Sequence, residues 1–180
     1  MKIHLFNATA LARELGRAEI GVERQAQYLL ISFWMYSLFY YSGLAGMGAP
    51  VWSLPSIFEG IAIMAITIFG IAQAYEAAGG RGSRSFLIDF TCLSVPVSIT
   101  TMIGGWGLYW GIRFSFFNLL TALSESHFQF ARNLTMIGAD FFGLLVFVTV
   151  VSIQAIVFWR IVRLLRVVRG MRRPGQPAVL

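Results

Sequence analysis

The chain has 180 residues, of which 57% are hydrophobic and 12% charged, with a mean hydropathy of +0.71. A soluble domain is about half apolar and about a quarter charged, so this composition excludes an ordinary soluble fold and calls for lipid around the excess apolar surface. The formal charge of +6 is local: six of the arginines fall between Arg160 and Arg173.

The first 26 residues carry Arg13, Glu14, Arg17, Glu19, Glu23 and Arg24 and no apolar run before a small-residue cleavage site, so no removable signal peptide is expected. Leu11, Leu15, Ala18 and Val22 share a face, and Asn7 or Thr9 suits an N-cap, so residues 7–27 are expected to form an amphipathic helix against the membrane surface. Tyr28 to Gly46 holds no charge, about the length that crosses a hydrocarbon core at 1.5 Å per residue. A short uncharged linker then forces the chain straight back. Span two runs from about Pro55 to Ala77, interrupted by Glu59 and ended by Gly79 and Gly80.

Span three covers roughly Phe86 to Ile112, with Asp89 in its first turn and Pro96 expected to bend it near the middle. Residues 113–136 are too mixed to span. Phe114, Phe117, Leu120 and Leu123 recur at helical spacing opposite Asn118, Ser124 and Glu125, which predicts an interfacial helix. Span four runs from Ile137 to Trp159, and a basic helix, Arg160 to Arg173, continues it into a frayed tail. The fold class expected is therefore an all-α polytopic membrane protein: a surface segment (1–27), a transmembrane domain of four helices (28–159) and a basic cytoplasmic helix and tail (160–180). Arginines gather in the N-terminal segment, at Arg81 and Arg84, and after Arg160, so the positive-inside rule places both termini in the cytoplasm. Trp52, Trp106, Tyr109 and Trp110 at one interface, and Tyr28, Tyr75 and Trp159 at the other, form the aromatic belts that such a layout requires.

Three groups of residues carry the functional reading. Thr91, Ser94, Ser98, Thr101 and Gly105 step along one face of span three, with Gly107 and Gly111 beside them. Small and hydroxyl-bearing residues in that pattern let helices approach closely, so this is read as a packing stripe. Glu59, Asp89 and Asp140 are candidate intramembrane charge sites. Asp89, one turn inside the cytoplasmic interface, is expected to meet Arg160 or Arg84. Glu59 and Asp140 lie near the opposite interface, where Arg113 and Arg132 are the available cations.

Arg160, Arg163, Arg166, Arg169 and Arg172 fall at every third position and resemble the charged helix of voltage-sensor domains. The largely apolar stretch Ile137–Trp159 already fills a bilayer before Arg160, however, which favours a juxtamembrane basic helix. Together with Arg173, these arginines are expected to contact anionic lipid headgroups or an acidic partner, each adding about 1 kcal/mol of attraction at the membrane surface.

Signals for catalysis are weak. The lone cysteine, Cys92, excludes an internal disulfide or a cysteine-rich metal centre. His4 and His127 lie outside the spans, so they cannot jointly ligate an intramembrane haem. Ser124, Glu125, Ser126 and His127 point in different directions on one helical turn. Gly79, Gly80 and Gly82 lack the preceding strand and the lysine of a phosphate loop. No cofactor, metal, nucleic acid or enzymatic activity is expected.

The sequence AYEAAGG closing span two and FLIDFTCLSVPVSITT opening span three resemble a group of uncharacterised four-span bacterial inner-membrane proteins. The likeness implies the fold and an inner-membrane location, and it transfers no site residue. The function expected is a non-enzymatic accessory or assembly subunit that contacts other membrane subunits or copies of itself. The alternative is a small oligomeric channel or transporter built on Glu59, Asp140 and Asp89.

Overall fold

In a computed structural model the chain is described over residues 4–46, 54–83, 85–124 and 128–172. Among these residues it is all-helical: α1 Ala8–Gly16, α2 Val22–Gly46, α3 Leu54–Ala78, α4 Phe86–Ser124 and α5 Phe128–Met171. Three helices contain stretches long and apolar enough to cross a membrane, Ile57–Ala78, Phe86–Leu119 and Phe142–Met171, as a multi-pass membrane protein requires.

α1 is shorter than the amphipathic pattern suggests, and it sits elsewhere. The side chain of Asn7 caps it, Oδ1 accepting from the Ala10 amide at 3.0 Å. Its end is a Schellman motif. Ala18 adopts φ 56°, the Glu19 amide donates to the Glu14 carbonyl at 3.0 Å and the Ala18 amide to the Leu15 carbonyl at 3.2 Å. That stop turns the chain so that α2 begins at Val22. The apolar face of α1, Ala8, Leu11, Ala12 and Leu15, is buried against α5 and α4 rather than presented to lipid. Gly16 meets Met171 at the end of α5. A polar clamp ties this turn to α2: His4 Nε2 and Glu14 Oε1 are 2.9 Å apart, Arg24 lies 3.5 Å from the same carboxylate, and the His4 amide donates to Tyr28 Oη.

The remaining helices stand with α2 against α4, α4 against α5 and α5 against α3. α4 and α5 form an antiparallel hairpin whose register is fixed by Asp89 opposite Arg172, Thr100 and Thr101 opposite Arg160, Gly105 opposite Ile153 and Phe117 stacked on Phe142. α3 runs parallel to α5, with Gln154 Nε2 donating to Thr67 Oγ1 at 3.1 Å and the Phe158 ring lying over Gly70. Besides Gly16, Gly70 and Gly105 are points where a side chain would collide with α5, so these glycines set how closely their helices approach. Between α3 and α4, Gly79 at φ 115° and Gly80 at φ 59° provide left-handed backbone that glycine alone adopts freely.

One further expectation is corrected here. Residues 113–136 do not form a separate interfacial helix, because α4 continues to Ser124 and α5 already begins at Phe128. The amphipathic pattern is used instead for pairing within the hairpin, where Phe116 and Phe117 pack on Phe142. α5 also runs unbroken through the basic segment to Met171. Pro96 lies inside α4, which continues through it.

Candidate functional site on the arginine helix

The register of α5 places its arginines deeper among the other helices than counting from the first charge suggests. Phe158 lies over Gly70, roughly 12 Å short of the end of α3 at 1.5 Å per residue. Arg160, two residues on, is half-buried, and its Nη1 donates to Thr100 Oγ1 at 2.9 Å and Thr101 Oγ1 at 3.0 Å. These hydroxyls sit near the middle of the apolar stretch of α4. Side chains on a helix lean toward its N-terminus, so the guanidinium points away from the Met171 end. Thr100 also donates to the carbonyls of Pro96 and Val97 at 2.8 and 3.2 Å. Pro96 has no amide hydrogen and leaves the Cys92 carbonyl without its usual helical donor.

At the Met171 end, Arg172 forms a two-point ion pair with Asp89. Nη1 lies 2.8 Å from Oδ2 and Nη2 2.8 Å from Oδ1. Ser85 completes the cluster, donating to Asp89 Oδ2 at 2.9 Å and accepting from Arg172. Asp89 is 2% exposed, so its charge is fully taken up by these partners. The sequence-based expectation of Arg160 or Arg84 as the partner is replaced by Arg172. Arg160 lies too far along the hairpin, and Arg84 is outside the described residues.

Steps of three residues on a helix rotate each arginine about 60° from the last. As a result the ladder winds around α5 instead of forming a stripe. Arg160 and Arg172 meet α4, Arg163 is exposed, and Arg166 and Arg169 border an open cleft of about 590 Å³ with Gln73, Glu76 and Ala77 of α3. Arg173 lies outside the described residues.

The packing stripe divides. Thr101 and Gly105 face α5. Thr91 and Ser94 turn their hydroxyls to the carbonyls of Leu87 and Thr91 on their own helix, and Ser98 is half-buried. Gly107 and Gly111 are exposed, with open space where a side chain would stand. With Gly104, Ser115 and Asn118, also exposed, they recur at helical spacing as one ridge of small and polar residues.

Glu59 is half-buried on α3, while Asp140 falls within α5 and its side chain lies outside the described residues. Arg113 is held by rings: its guanidinium lies 5.2 Å from Trp110, 5.6 Å from Phe117 and 5.9 Å from Phe142, and it donates to Tyr109 Oη at 3.2 Å. Sequence reasoning missed this aromatic cage. Tyr109, Trp110 and Phe117 at three and four residues from Arg113 carried the signal. Among the described residues no group of three or more His, Cys, Asp or Glu side chains has the arrangement to hold a metal ion.

The fold and these sites define an all-helical chain with three helices suited to crossing a membrane and an arginine helix packed among them. Comparison with family models, curated proteins and solved structures finds no match.

Proposed function

We propose that the chain is a non-enzymatic, four-span subunit of a bacterial inner-membrane complex, with both termini cytoplasmic, that docks a neighbouring transmembrane helix on the outer face of α4. α2, at 25 residues, supplies the fourth crossing. The ridge Gly104, Gly107, Gly111, Ser115 and Asn118 supports the docking role. Small residues on an exposed helix face allow backbones to approach; the Ser115 hydroxyl, which donates to the Gly111 carbonyl at 2.9 Å, keeps its lone pairs as acceptors, and the Asn118 amide offers both donor and acceptor to an incoming helix. Near Met171, Glu14, Asp89 and Arg172 are engaged in intrachain ion pairs, which fits a scaffold clamped at that end. The test is crosslinking in native membranes from a single cysteine replacing Ser115. A discrete adduct, lost when Gly107 and Gly111 are replaced by leucine, is the expected result. A clean monomer in both chains refutes the proposal.

The depth of Arg160 favours a second reading, a helix that responds to membrane potential. One elementary charge moved across the full field is worth about 2.3 kcal/mol per 100 mV, and Arg160 bonds only to hydroxyls, from which it can exchange at modest cost. Voltage-step recordings that show a charge displacement reduced by Arg160→Gln support this reading. A flat record excludes it.

A further inference from the structure

We propose that the cleft between the ends of α3 and α5 is a phospholipid site selective for a headgroup that carries both a phosphodiester and an ammonium, as in phosphatidylethanolamine. The cleft is lined by Gln73, Glu76 and Ala77 from α3 and by Arg166, Arg169 and Gly170 from α5. Its position is that of a headgroup, since it opens where the apolar stretch Ile57–Ala78 runs out. Its chemistry is mixed in the same sense as the ligand. Two guanidinium groups offer the planar donor sets that grip phosphate oxygens, and one carboxylate stands ready for a cation. Among the described residues none of these three charges has an ion-pair partner, although they border one cleft. A molecule with both charges satisfies all of them at once. Ala77 and Gly170 leave room for it, where longer side chains would close the space.

Beyond the cleft the same two helix faces carry exposed apolar side chains. Phe69 lies one turn before Gln73 on the same face of α3, and Trp159 lies two turns before Arg166 on the same face of α5; both are exposed. Together they flank a path for the acyl chains. A free phosphate has no use for that path, and a diffuse attraction to the basic helix has no use for Glu76. Arg163 serves as the internal control: it is exposed on the same helix, carries the same charge and does not border the cleft.

The inference rests on the membrane placement proposed above. If that placement fails, impermeant labelling puts Ser83, beside the cleft, on the wrong side or the chain does not enter lipid, whereas failure of the site alone leaves an inserted protein of the proposed topology without its lipid. The test is native mass spectrometry of the full chain released from nanodiscs of phosphatidylcholine containing equal amounts of phosphatidylethanolamine and phosphatidylglycerol. Expected is one retained phosphatidylethanolamine per chain, reduced about tenfold in the Arg166→Gln/Arg169→Gln variant and unchanged in Arg163→Gln. Glu76→Gln is expected to abolish the preference over phosphatidylglycerol. Equal retention of the two lipids by the native chain overturns the proposal without any variant. So does a loss in Arg163→Gln equal to that in the double variant, or displacement of the lipid by millimolar inorganic phosphate.

Discussion

The two ends of the α4–α5 hairpin are built on different terms. At the Met171 end, Leu93 and Val97 of α4, Ile161 and Leu165 of α5, Leu11 and Leu15 of α1 and Tyr28 of α2 are all buried within the chain, and Glu14, Asp89 and Arg172 beside them are ion-paired. At the other end Ile103, Leu108 and Leu119 of α4 and Leu144 of α5 remain exposed, and aromatic stacking between Phe117 and Phe142 holds the two helices together. One end is joined by an internal core and ion pairs, while the other is joined by ring contacts. Helix association in a bilayer lacks a hydrophobic drive, because lipid tails are as apolar as leucine. Polar clamps and close backbone contacts therefore decide where the chain is rigid.

Substitutions at the packed end are expected to cost most. Asp89→Leu leaves Arg172 and Ser85 without their acceptor and is expected to destabilise the protein by about 3 kcal/mol, toward the lower bound for breaking a buried pair because Arg172 keeps some contact with solvent. Unfolding by titration of denaturing detergent into micelles, followed by circular dichroism, measures this. The double variant with Arg172→Met is expected to recover most of the loss, which separates an orphaned charge from lost packing.

Where the packed end begins to open, Gly105→Val sets a side chain against Ile153, whose Cδ1 would lie 2.5 Å from the new Cβ. Overpacking of this kind costs about 1–3 kcal/mol. Adding Ile153→Ala is expected to restore part of it in the same unfolding measurement. No rescue would mean that the helices are held apart by something else.

A smaller effect has the opposite sign. Ala18 occupies a left-handed position that disfavours any Cβ, so Ala18→Gly is expected to stabilise the docking of α1 by about 0.5 kcal/mol, the strain relieved less the extra freedom of the unfolded glycine. Slower tryptic cleavage at Arg17 is the readout, and faster cleavage would contradict the Schellman assignment. At the open end Gly107→Leu meets nothing within the chain and is expected to change monomer stability by less than about 0.5 kcal/mol. A large loss there would show that the open ridge is packed after all.

The apolar helices, the cap at Asn7 and the stop at Gly79 and Gly80 were legible in the sequence because apolar length and these residues act locally, whereas the C-terminal ends of α1 and α4 and the start of α5 were not. What was not legible is register. Hydropathy locates a span by its first charge and does not say what Arg160 meets; an arginine stem packs like an apolar chain and its head needs only acceptors. Thr100 and Thr101 supply them from another helix, at a sequence distance no local pattern reveals. The same limit misassigned the partner of Asp89. In residues 113–136, alternation that looked interfacial became aromatic packing of one helix on the next, an outcome fixed by tertiary contact.

The four-span arrangement requires the two ends of the bundle to face opposite sides of a membrane. Single cysteines at Thr9, Ser83 and Ser124, in a chain with Cys92→Ala, can be labelled by an impermeant thiol reagent in sealed vesicles of each orientation. Thr9 and Ser83 are expected to react only from the cytoplasmic side and Ser124, at the end of α4 beyond its apolar stretch, only from the other. Labelling of Thr9 and Ser83 from opposite sides would contradict the four-span arrangement.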